Sequence, residues 1–203
     1  TLQQFGEADN FGSLIRPQLA SAADALATLE AKDMGGNLFL AETHRKVLTV
    51  LRMAEYLGPR YHVVVANPPY MGGKGMNRPL SAWLKENYEP VKTDLFSAFV
   101  VRNLELALPK GQLGFMTPFV WMFISSYEKL RAILIDQKTI TSLIQLEYSG
   151  FDGATVPICT FTLENAHKPD FRGGYVRLSD FRGADQQGPK ALEIIQAARK
   201  VGK

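Results

Sequence analysis

The apolar run Tyr61-His62-Val63-Val64-Val65-Ala66, followed at once by Asn67-Pro68-Pro69-Tyr70, constrains this chain more than any other stretch. Three consecutive β-branched residues in a short run are the pattern of a strand buried on both faces of a mainly parallel sheet. Each proline behind the run fixes its own φ and pushes the preceding residue away from helix, so the strand ends in a stiff turn. In open α/β sheets ligands sit at the carboxyl ends of the strands, which is where Asn67 falls. A stiff turn holds its side chain still.

The chemistry open to such a turn follows from its acceptors. The Asn67 amide oxygen can accept one N–H of a planar exocyclic amine, and the Pro68 carbonyl the other. Two acceptors polarise that nitrogen towards an electrophile, and no general base is needed. Tyr70 adds an aromatic face on which a base can stack, worth about 1–3 kcal/mol in comparable contacts. The plain alternative is a strand-to-loop turn in which Asn caps the chain and the prolines stiffen it. The all-apolar strand before the turn and the aromatic after it favour a site.

Other elements follow from periodicity and punctuation. Leu19, Ala22, Leu26 and Leu29 recur at helical spacing after Pro17, which suits a first helical turn. Leu40, Val47, Val50, Ala54 and Leu57 keep the same period, and Gly58-Pro59 stops that helix. These two helices are expected to pack on the sheet or on other parts of a larger enzyme. Behind the turn, residues 79–88 predict a short helix. Thr93 is the expected cap of a helix reaching Leu108, with Asp94 favouring the positive end of its dipole. A buried strand is expected over 113–116. Ser125 with Glu128 predicts a capping box for a helix to Ile135, and 140–147, 156–163 and 175–178 read as strands. Residues 186–189 read as a linker ahead of a helix over 190–200. Strand, helix, strand, helix and then paired strands is the order of the second half of a doubly wound sheet.

Global properties permit this reading. With 203 residues, 46% of them hydrophobic, the chain can bury one substantial core. A net charge of +3 leans towards an acidic partner such as DNA, a lean shared by many enzymes that bind no nucleic acid. The lone Cys159 excludes an internal disulfide, fits a reducing compartment and is expected inside a core strand. His44, His62 and His167 lack metal-ligand spacing, so no metal site is expected. No signal peptide is legible, and the longest apolar candidate, around 119–124, is too short to span a bilayer. A soluble, cytoplasmic protein is the expectation.

Residues 67–70 resemble the NPPY motif of amino-group methyltransferases that use S-adenosylmethionine. The longer string Asn67-Pro68-Pro69-Tyr70-Met71-Gly72-Gly73-Lys74-Gly75-Met76-Asn77 is similar to the adenine-specific DNA methylases of BREX (Pgl-type) phage-defence systems. Asp94-Leu95-Phe96 opening a long helix, and then Pro109-Lys110-Gly111-Gln112-Leu113-Gly114-Phe115-Met116-Thr117-Pro118, resemble the helix, turn and strand that follow NPPY in that family. The likeness covers approximately residues 60–165. It implies an α/β fold: the C-terminal half of a Rossmann-like class I methyltransferase sheet with a helical N-terminal lead-in. The organisation implied is a lead-in over 1–59, a catalytic half over 60–165, and a linker and start of a following region over 166–203.

The resemblance also implies roles. Asn67 and Pro68 would hold a flipped adenine, Tyr70 and Phe151 would stack on it, and Asn67, Asp94, Leu95 and Phe96 would border S-adenosylmethionine. The partners implied are double-stranded DNA, the remainder of the enzyme and other phage-defence proteins. One departure stands out: the family's glycine-rich cofactor loop after a strand is absent. Gly35-Gly36 lies between helical segments, and Gly72-Gly73-Lys74-Gly75 comes after the catalytic turn. A fragment of a larger enzyme is therefore expected, inactive alone.

The loop at 72–75 has two readings, a backbone approach to phosphate with Lys74 as counter-charge, or a lid or plain turn. Asp170-Phe171-Arg172-Gly173 and Asp180-Phe181-Arg182-Gly183 repeat one string ten residues apart, a pair of similar turns or else an aromatic and arginine surface for nucleic acid. Similar NPPY turns serve methylases of a protein glutamine amide and of ribosomal RNA guanine, and a module that kept the turn but lost catalysis would dock on DNA or a defence partner. The lead-in, the 71–77 loop and Phe151 favour DNA.

Overall fold

Apolar alternation and proline placement build the sheet that carries Asn67. In the computed structural model, which describes residues 2–19, 21–32, 38–148 and 156–200, the chain forms two units, Thr1–Arg60 and Tyr61–Lys203. The second unit holds a five-stranded mixed sheet of order β1-β2-β4-β3-β5. Its strands are β1 (Tyr61–Ala66), β2 (Ala107–Pro118), β3 (Thr139–Gln145), β4 (Ile158–Glu164) and β5 (Gly174–Arg177). β1 runs parallel to β2, and β5 parallel to β3, while β4 lies antiparallel between β2 and β3. The α/β class and the element order expected for the second half of a doubly wound methyltransferase sheet are present.

β1 corrects the expectation of a strand buried on both faces. It is an edge strand, and Val63 and Val65 are 62% and 76% exposed. Register explains the split. Val64 and Ala66 pair with Leu113 and Phe115, whose side chains are buried, whereas Val65 pairs with Gly114 on the opposite face. An apolar run signals that burial is favoured; it does not say which element supplies it.

Helix α4 (Arg78–Asn87) starts at Asn77, whose Oδ1 accepts the Leu80 amide at 2.9 Å, and Pro79 sits in its first turn. Helix α5 (Leu95–Leu106) packs on β1 and β2. Its cap is Asp94, not Thr93, and it ends ahead of Leu108. The chain then turns at Lys110, which has φ 64°, and at Gly111, where a Cβ would lie 2.9 Å from the Leu108 oxygen and 3.1 Å from that of His62. Only glycine lets the two strands approach here. Asn165 stitches this turn, its side-chain amide donating to the carbonyls of Leu104, Ala107 and Leu108 at 3.0–3.2 Å.

Two further expectations in this unit are corrected. Ser125 and Glu128 form no capping box: residues 125–127 are a 3-10 turn, and α6 (Glu128–Asp136) begins without a side-chain cap. Arg131 instead ties that turn by donating to the carbonyls of Trp121 and Ile124, both at 2.7 Å. The supposed linker at 186–189 lies inside helix α7 (Ala184–Lys200), with Pro189 in the second turn, where it gives up one backbone hydrogen bond. Gln187 there is buried, accepting from the Glu147 amide and donating to the carbonyls of Leu178 and Phe181.

In the first unit, short turns and α1 (Ala8–Phe11) precede α2 (Ala22–Glu30) and α3 (Leu38–Leu57). Pro17 stands outside the helix it was expected to open; Ser21 caps α2 by accepting the Asp24 amide at 3.2 Å. The two longer helices pack together through Leu26, Leu51 and Ala54. His44 Nε2 lies 2.8 Å from the Leu29 carbonyl, and Arg52 pairs with Glu30 at 2.8 Å. Gly58 closes α3 by donating to the Ala54 carbonyl. Among the described residues no helix is long and apolar enough to cross a membrane.

Candidate active site

β1 delivers Asn67 to the carboxyl end of the sheet, exposed, with Pro68 buried behind it and Tyr70 half-buried beside it. The tyrosine folds back over the asparagine. Its hydroxyl donates to Asn67 Oδ1 at 2.8 Å and lies 3.3 Å from the carbonyl oxygen of Met116 on β2. The acceptor expected to be open to a substrate amine is thus engaged from within the chain. Burial pushes the Tyr70 phenol above its ordinary value, so it stays a neutral donor.

Below Tyr70 lies Phe96, edge-on at 6.5 Å between ring centroids, and Tyr127 packs on the far side of Phe96 at 5.4 Å. Burial, and then the nearby Asp94 carboxylate, push the Tyr127 phenol up to about 12. Asp94 Oδ1 accepts the amides of Met71 at 3.1 Å and Phe96 at 3.2 Å. Burial raises its carboxyl above the ordinary value, against the lowering effect of these amides.

The residues expected beside a cofactor therefore separate. Asn67 is at the surface, Asp94 is engaged by backbone, and Leu95 and Phe96 send their side chains into the core, 6% and 0% exposed. Lys74 is exposed on a tight turn closed by the Gly75 amide on the Gly72 carbonyl at 2.8 Å. That turn is pinned by the Gly73 amide to the Thr93 carbonyl, at 3.2 Å, and by a bridge between Gly72 and Asp94. Phe151 and Gly35-Gly36 lie outside the described residues. Among those described, no three His, Cys, Asp or Glu side chains gather as a metal site.

Cys159 is fully buried in β4, its thiol raised by burial, and lies 3.6 Å from the Thr117 hydroxyl. The echoed turns differ: Gly173 sits where a Cβ would meet the Ile140 carbonyl at 2.6 Å, while Phe181 carries the Lys190 ammonium 5.3 Å from its ring centre. Sequence reading missed the Met116 carbonyl and Tyr127. Register could have found the first, since Ala66 pairs with Phe115 and so sets Met116 beside Asn67.

The family model described as Eco57I restriction-modification methylase matches residues 32–151 of this sequence. The chain belongs to that methylase family. It is 35% identical over 186 residues to the adenine-specific methyltransferase BrxX of Escherichia coli O9:H4 (strain HS), covering 89% of this chain and 15% of that protein. Against the adenine-specific methyltransferase PglX of Lacticaseibacillus casei (strain Zhang) the identity is 28% over 204 residues, covering 96% and 17%. The fold matches the methyltransferase subunit of a type I restriction-modification system from Streptococcus thermophilus with a TM-score of 0.52 and 18% identity, over 71% of this chain and 32% of that one. The Eco57I-family chain thus spans 15–17% of the length of these two curated relatives.

Membership in the methylase family implies S-adenosylmethionine as methyl donor. The described residues do not build a whole pocket for it. Of the four expected contacts, two side chains are core and a third serves the backbone, and no described glycine turn follows a strand as a cofactor loop does.

Proposed function

We propose that this chain is the catalytic part of an S-adenosylmethionine-dependent adenine-N6 DNA methyltransferase of a restriction-modification or phage-defence system. The observation that carries the reading is the Asn67 amide oxygen, held at the carboxyl end of β1 by two prolines and flanked by Tyr70. An adenine flipped from the duplex would place its amine against Asn67 Oδ1 and the Pro68 carbonyl, with Tyr70 turned to stack on the base. The two acceptors bind the amine hydrogens and raise electron density on N6; as the new C–N bond formed, the donor's methyl–sulfur bond would break to leave a neutral thioether, and one amine proton would pass to solvent. S-adenosylmethionine, when bound, supplies the electrophilic methyl, and its main binding loop would come from a longer enzyme.

The open edge and exposed valines of β1 support that longer enzyme, as further strands there would cover them. Lys74, exposed on its turn, would neutralise a DNA phosphate, and the family resemblance gives Phe151 the role of second stacking ring. A cytoplasmic location and other defence proteins as partners go with the same reading.

The test is Asn67→Ala in the full-length enzyme. Loss of an acceptor that strengthens as charge develops should lower turnover on the order of a hundred-fold or more while cofactor affinity holds. Near-normal methylation of duplex DNA by this variant would make the turn structural.

A further inference from the structure

We propose that Asp94 is a positioning residue for the catalytic turn: it fixes Tyr70 from two sides, through the backbone of Met71 and through the ring of Phe96. The inference rests on reading Asn67 as the amine acceptor, and it gives Asp94 a task other than contacting the cofactor.

A helix cap needs one thing of Asp94, an oxygen for an amide in the first turn, and Phe96 supplies that amide at 3.2 Å. Capping does not explain the second bond. The same Oδ1 accepts from Met71, 23 residues earlier in the chain and next to Tyr70. Backbone pairing surrounds it: the Leu95 amide donates to the Met71 carbonyl at 2.9 Å, and the Gly73 amide to that of Thr93 at 3.2 Å. The start of a core helix is thereby joined to the residue behind the catalytic turn.

Both arms of this clasp end on Tyr70. Met71 fixes where the tyrosine backbone leaves the turn, and Phe96, whose amide Asp94 also holds, presents its ring edge-on to the tyrosine ring. The Tyr70 hydroxyl shares Asn67 Oδ1, and the ring has to turn for its face to meet a base. With Met71 pinned, the side chain can rotate while the turn carrying Asn67 stays in place. A short carboxylate suits the task because one oxygen carries lone pairs for two amides. Asparagine keeps that oxygen. Serine keeps a cap without reaching both amides.

Three variants of the full-length protein separate the roles: Asp94→Asn, Asp94→Ser and Asp94→Ala. Each is followed by amide hydrogen exchange at residues 71–73, by capture of 2-aminopurine placed at the target adenine, and by calorimetric binding of S-adenosylmethionine. Asp94→Ser should remain folded, exchange on the order of ten-fold faster at 71–73 and capture the base about ten-fold more weakly, with cofactor affinity within about two-fold of wild type. Asp94→Asn should restore exchange and capture, and Asp94→Ala should match or exceed the serine defects. Wild-type exchange and capture in Asp94→Ser overturn the proposal. Parallel loss of cofactor affinity in all three variants also overturns it, in favour of a direct cofactor contact. A wild-type enzyme that methylates no adenine sinks the reading of Asn67 but not the clasp, which the exchange measurements then support or overturn by themselves.

Discussion

Tyr70→Phe separates the two parts of the tyrosine, because the hydroxyl competes for the acceptor that the ring is meant to serve. The hydroxyl donates to Asn67 Oδ1 at 2.8 Å and takes one of that oxygen's two lone pairs, so an incoming amine competes with it for the acceptor. A neutral hydrogen bond has a net worth of about 0.5–1.5 kcal/mol, and this one is open to solvent, which favours the lower part of the range. At roughly 1.4 kcal/mol per tenfold, its removal should tighten capture of the target adenine by about 2- to 5-fold. The ring, with its stacking contribution of about 1–3 kcal/mol, is kept in phenylalanine and lost in Tyr70→Ala, which should weaken capture by about 5- to 140-fold. The assay is fluorescence titration of full-length enzyme with duplex DNA carrying 2-aminopurine at the target, alongside KM for methyl transfer. Opposite signs for the two variants are expected. If Tyr70→Phe weakens capture ten-fold, the hydroxyl assists the substrate and the competing-donor argument is wrong.

Gly111→Ala would place a methyl against backbone on both sides, so neither neighbour can yield cheaply; a cost of about 1–3 kcal/mol should lower Tm by roughly 2–4 °C for each kcal/mol. The Glu164 carboxyl is held below its ordinary value of 4.5, first by the hydrogen bond from Lys168 at 2.6 Å. Its contribution is present above pH 4.5 and fades as pH falls through the lower folded-state value, so Glu164→Gln should flatten the acid limb of Tm against pH; an unchanged limb would exclude the pair as its source.

What was legible in the sequence was what local sterics decide. Proline fixes φ wherever it stands, so the stiff turn after Ala66 and the presence of Asn67 at its start could be read without coordinates. Helix α4 was legible for the same reason: a short helix was expected from Pro79, and Pro79 sits in the first turn of Arg78–Asn87, though the Asn77 cap came only with the structure. The choice between Thr93 and Asp94 was not. Both are good caps one residue apart, and what separates them is the Met71 amide, brought to Asp94 by the tertiary fold. Ser125 with Glu128 had the right spacing for a capping box, but the chain tightens into a 3-10 turn, and Arg131 ties the segment ahead of it by donating to the carbonyls of Trp121 and Ile124.

The candidate site divides along the same line. Residue types showed that Asn67 could accept an amine and that Tyr70 could stack, since these are properties of isolated side chains. That the two would occupy each other depends on the path through Pro68 and Pro69 and on the Met116 carbonyl, which β1–β2 register brings alongside. Leu95 and Phe96 show the converse. Next to Asp94 they read as site residues, yet α5 lies against the sheet and their side chains are core. Phe96 still touches the chemistry from behind, as the surface against which Tyr70 rests. A buried residue can therefore shape a site it never lines, and a motif's spacing alone does not distinguish the two kinds of contribution.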